Sequence, residues 1–131
     1  MNEYIAVRGL LSRSTALTTL IAGRLYQDVM PDNPTYPSVT YQKVDDGNSV
    51  GSTSNPGICW AILQVSTWSR TRLEAAAIVL AVSRALDRTR NVTVNGIQVD
   101  DCFGLNNADS YDSETRIYFT HSKFKIHYRE T

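Results

Sequence analysis

From Ile58 to Thr67 the chain reads as a strand with apolar residues on both faces. Ala61, Leu63 and Val65 lie on one side, with Ile58, Trp60 and Ile62 on the other. Such a strand needs cover on both sides, from helices or from another subunit. Helix cover follows at once. Residues 69–87 carry Ala75, Ile78, Val79, Val82 and Leu86 along one face, and Leu73, Ala77, Leu80 and Ala81 widen the arc. Thr71 and Glu74 have capping-box spacing, with Ser69 as an alternative start. An arc that broad calls for two surfaces: the sheet, plus the N-terminal helix or a neighbouring subunit.

The other elements follow from local signals. Residues 3–22 read as two helical pieces broken at Ser12 to Ser14, where a serine can cap the second piece, with Gly23 as its C-cap. Leu25 and Tyr26 anchor the exit. Pro31, Pro34 and Pro37 then keep the chain extended, and Pro37 leads a strand over 38–43 with Val39 and Tyr41 on one face. From Val44 to Gly57 the composition turns polar, which predicts a loop that is mobile in the free subunit and orders on assembly. Asn95-Gly96 signals a two-residue type I′ turn between strands at 91–94 and 97–103. An acidic loop from about Asn106 to Glu114 feeds the final strand, 116–129. Its apolar parity switches from Ile117 and Phe119 to Phe124, Ile126 and Tyr128, predicting a bulge or a change of packing partner near 121–123. The expected architecture is α+β: one domain over 1–131, with a flexible polar loop at about 45–57. Its mainly antiparallel sheet of four to five strands packs on an N-terminal helical segment and one long helix.

Composition narrows the functional classes. Among 131 residues, 13 basic and 13 acidic side chains balance, which argues against a general phosphate-binding surface. The signs are segregated, however. Arg70, Arg72, Arg84, Arg88 and Arg90 cluster on and after the long helix, whereas Asp100, Asp101, Asp109, Asp112 and Glu114 form an acidic band. Segregated charge in a neutral chain suits self-association, the basic face of one copy meeting the acidic face of the next. Cys59 and Cys102 read as small buried apolar residues, not a disulfide framework. Arg8, Arg13 and Arg24 interrupt the early apolar residues, so neither a signal segment nor a membrane span is expected there.

Catalytic patterns are absent from the sequence. His121 and His127 are separated by roughly 20 Å of strand and cannot share a metal. No glycine-rich phosphate loop, EF-hand alternation or nucleophile elbow is present. Trp60 and Trp68 read as core or interface anchors. Neither enzymatic activity nor a cofactor is expected.

Four pieces, in order, carry a resemblance. They are Gly23-Arg24-Leu25-Tyr26; Tyr36-Pro37-Ser38-Val39-Thr40-Tyr41; Leu63-Gln64-Val65-Ser66-Thr67-Trp68 with the alanine-rich helix behind it; and Asp109-Ser110-Tyr111-Asp112 with Phe124-Lys125-Ile126-His127-Tyr128-Arg129-Glu130. Together they resemble the tail completion, or tail terminator, proteins of tailed bacteriophages. The resemblance implies a ring, commonly of six subunits, that stops polymerisation of the tail tube and offers a docking surface to the head. It also implies a place at the tail–head junction of the virion, after assembly in the bacterial cytoplasm. The implied partners are further copies, the tail tube protein and a head–neck connector, with no membrane and no sequence-specific nucleic acid. Alternatives are a head-completion or neck connector subunit and, from a different class, a small nucleic-acid-binding module.

A closed ring needs a heterologous interface. The candidate charge pair is the arginine helix against the acidic band. The candidate apolar contacts are Trp60, Ile62, Ile117 and Phe119, and the candidate partner-binding loop carries Asp45, Asp46, Asn48, Ser49, Ser52 and Asn55.

Overall fold

A computed structural model describes residues 2–48 and 58–129. The N-terminal segment forms α1 (Asn2–Ser12) and α2 (Thr15–Ile21). Ser14 caps α2, its hydroxyl accepting from the Leu17 N–H at 3.2 Å. The helix ends one residue earlier than expected. Ala22 takes the left-handed cap conformation (φ 51°), and Gly23 continues it at φ 76°.

Next come β1 (Leu25–Gln27), β2 (Ser38–Asn48), β3 (Ile58–Ser69), α3 (Arg72–Leu86), β4 (Thr89–Val94), β5 (Ile97–Asp112) and β6 (Ile117–Arg129). They form one six-stranded sheet in the order β1-β2-β3-β6-β5-β4, with β1 parallel to β2 and every other pair antiparallel.

Burial follows register. Cys59, Ala61 and Leu63 on β3 lie opposite Tyr128, Ile126 and Phe124 on β6, and all six are buried. Their face packs with Leu10, Leu17, Ile78, Val82 and Leu86 from the three helices into a single core. Cys102 is fully buried, and burial pushes its thiol pKa up to about 12, with nearby Asp101 and Asp87 adding to the shift.

Three expectations are corrected, and an open alternative is decided. The sheet has six strands, not four to five, because Leu25–Gln27 pairs with β2; three residues are too few to show a period. β2 runs on through Asn48, so Asp45, Asp46 and Asn48 belong to a strand paired with β3 and not to a loop. A bulge at Val44 breaks the alternation that would have revealed it. Ser49, Ser52 and Asn55 lie outside the described residues. The acidic segment is likewise strand: β5 reaches Asp112, and the connection to β6 shrinks to residues 113–116. Its polarity reflects lack of cover, since residues 103–112 are all exposed. Finally, the irregularities of this hairpin sit on β5, at Val99/Asp101 and Gly104/Asn106, whereas β6 pairs with β3 without interruption. The parity switch on β6 is a change of packing partner. Phe119 turns to the face away from the helices, and Phe124, Ile126 and Tyr128 enter the core.

The Asn95-Gly96 turn forms as read, with φ of 50° and 83° and Val94 paired to Ile97.

Candidate functional site

The three helices among the described residues pack into the core on one side of the sheet, so none of them covers the other face of β3. The surface there is aromatic and basic. Trp68 stacks on Phe119 with ring centroids 5.2 Å apart, and its indole N–H donates to Thr40 Oγ1 at 3.1 Å. His121 lies against both rings, and its Nδ1 is hydrogen-bonded to Ser66 Oγ at 2.7 Å. Burial, and then the Lys123 charge, lower its pKa, which favours the neutral ring.

Further along, Trp60 lies over Gly47 of β2, with Lys125 Nζ 4.9 Å from its ring centroid. Ile62 sits between these two groups on β3, across from Lys125. Trp60, Ile62 and Phe119 are therefore brought onto one half-buried surface. Ile117 is not among them: it is buried at the base of the β5–β6 turn.

The charged candidates are arranged differently from a pair of separate faces. Arg72 reaches the acidic band of its own chain. It lies 3.7 Å from Asp109, donates to the Ser110 carbonyl at 3.2 Å, and stands over the Tyr118 ring. Asp100 pairs with Arg129 at 3.2 Å, and Asp101 meets His127 Nδ1 at 2.6 Å. Arg70 stands over Tyr36. Asp112 and Glu114 remain exposed beside the turn, where Asp112 Oδ1 accepts from the Glu114 N–H. Arg84 and Arg88 are exposed along and just beyond α3, Arg88 lying 4.0 Å from Asp87.

Beside Arg72, α3 and the upper half of β5 form an open cleft of about 310 Å³, lined by Ala76, Val79 and Leu80 from the helix and by Asn107 and Asp109 from the strand. The outer ridge of α3 borders it. Leu73 is 84% exposed and Leu80 51%. Only half of the broad apolar arc read in the sequence is buried within the chain.

One functional-looking cluster escaped the sequence reading. Glu3 on α1 is 2% exposed, receives the Tyr128 hydroxyl at 3.0 Å, and lies 3.1 Å from Lys43 Nζ, which also contacts Asp46 at 2.8 Å. Burial alone would raise its carboxyl pKa. Hydrogen bonds from its own backbone, Lys43 and Tyr128 outweigh burial and lower it to about 2. The arrangement ties α1 to β2 and β6, which holds these elements together.

A family model described as Tail completion protein gp17 matches residues 5–129. The chain belongs to this family. Tail completion is a structural role in the phage tail, so the protein is a virion component. Among solved structures, a chain described as "Virion of native gene transfer agent (GTA) particle" superposes with a TM-score of 0.78 at 17% identity. The match covers 95% of this chain and 92% of that one. At that identity the likeness establishes a common fold. No curated protein sequence matches significantly. The half-covered α3 ridge and the sheet face away from the helices are the apolar surfaces that this tail completion protein leaves accessible among its described residues.

Proposed function

We propose that this tail completion protein forms a ring, of six subunits, that caps the tail tube, stops its polymerisation and presents the surface on which the head docks. The observation that carries this reading is the amount of apolar surface the fold leaves uncovered on two sides. Trp60, Ile62 and Phe119 lie on the helix-free sheet face, and Leu73 and Leu80 lie on α3. Apolar side chains left partly open on two surfaces of a small domain suit protein contacts. Arg70, Arg72, Arg84 and Arg88, with Asp112 and Glu114, would set register more than affinity, since exposed ion pairs contribute only about 0–1 kcal/mol each. The partners in this reading are further copies, the tail tube protein and a head–neck connector.

The test is a tube-growth assay. Purified tail tube protein polymerises with and without this protein, and tube lengths and ends are scored by electron microscopy. Shortened tubes bearing a terminal ring support the proposal. Unchanged lengths and bare ends, with the protein bound instead to portal rings, favour a neck connector.

A further inference from the structure

We infer that the contact between neighbouring copies joins the β1–β2 edge of one chain to the α3–β5 cleft of the next; this rests on the ring reading above. The sheet order puts these two surfaces on opposite sides of the molecule, as a head-to-tail contact needs if rotation is to bring one copy's edge against the next copy's cleft. Both sides end in partly unpaired strands. β1 covers β2 only at Val39 to Tyr41, so among the described residues the outer edge of β2 beyond it has no strand neighbour. β4 covers β5 only up to Cys102, leaving the stretch from Phe103 to Asp112 in the same condition. Within the sheet, β2 and β5 run in opposite directions, so copies related by rotation about a common axis present them antiparallel.

Apolar exposure and charge match across the same two surfaces. The β1–β2 edge bears Val29, 75% exposed, and the bulged Val44, 48% exposed, beside Asp28 and Asp45. Its basic groups are committed inside the chain: Lys43 to Glu3 and Asp46, and Arg8 to the Leu25 carbonyl and the Tyr41 hydroxyl. The α3 side offers the apolar ridge of Leu73 and Leu80 with the cleft along one flank of it; on the other flank, bordering a groove shared with Arg13 and Ser14, Arg84 has no carboxylate partner among the described residues. The acidic band cannot serve as the main complement of the arginine helix, because Asp100, Asp101 and Asp109 are already paired within the chain. The acid that meets α3 comes from the far edge of the neighbouring sheet.

Engineered cysteines test this on the full chain. Both natural cysteines are buried. A chain carrying Val29→Cys together with Leu80→Cys, oxidised under conditions where wild-type rings are seen, should give a ladder of covalent multimers up to the closed ring. Either single variant should give none. In parallel, Asp45→Arg and Arg84→Asp should each raise the concentration needed for assembly about tenfold, and the double variant should recover it. Rings without a ladder, and indifferent to both charge reversals, would overturn this contact while leaving the ring reading intact. Dimers from a single cysteine variant would overturn it in favour of a two-fold contact. Absence of rings for the wild type at any concentration, with or without tube protein, would remove the ring reading and this contact with it.

Discussion

Glu3 shows how one side chain can matter without forming a functional site. Its folded pKa of about 2 lies below the ordinary 4.5. The carboxylate therefore contributes stability above pH 4.5, and that contribution is lost as pH falls toward 2. Glu3→Gln should lower stability at neutral pH by about 1–3 kcal/mol, the usual cost of disturbing a buried hydrogen-bonded group. Thermal melts across pH should show the gap from wild type constant above pH 5 and closing in acid; a gap that does not change with pH would refute the assignment. Gly47 is a second such residue. A Cβ there would stand 2.8 Å from the Trp60 ring, so Gly47→Ala should destabilise by about 1–3 kcal/mol and shift the tryptophan fluorescence. Neither effect is legible in the sequence. Glu3 meets Tyr128 across 125 positions, and Gly47 sits in a stretch whose composition reads as loop.

At the scale of elements, legibility followed local periodicity and turn chemistry. The α1–α2 break, α3, β3 and the Asn95-Gly96 turn were all readable because their signals lie within a few residues. Thr71 caps α3 as its spacing predicts, accepting from the Glu74 N–H at 3.2 Å, while the Glu74 carboxylate turns to the Ser69 hydroxyl at 2.6 Å. Thr71→Ala should cost about 1 kcal/mol in chemical denaturation, with Thr71→Ser close to wild type. What failed was strand extent. The ends of β2 and β5 are polar strands held by partners remote in sequence, and an edge with little cover needs no alternating pattern. The candidate site was half legible for the same reason. Trp60, Ile62 and Phe119 share a surface because β3 and β6 are paired, whereas the approach of Arg72 to Asp109 follows from the hairpin lying against the start of α3, which no local signal encodes.

On the scale of the whole molecule, the three described helices cover part of one face of the six strands, and among the described residues the other face and half of the α3 arc stay accessible. Burial of Cys59 and Cys102 gives a check on this layering: both thiols should resist alkylation in the native protein and react once it is unfolded, while rapid native labelling would contradict it. The central claim is that copies of this domain complete one another. Native mass measurement of the purified protein from low to high micromolar concentration, with and without tail tube protein, addresses it most directly. The account predicts one closed assembly of six chains, formed alone or on the tube end. A strictly monomeric protein throughout, with no binding to the tube, would contradict it.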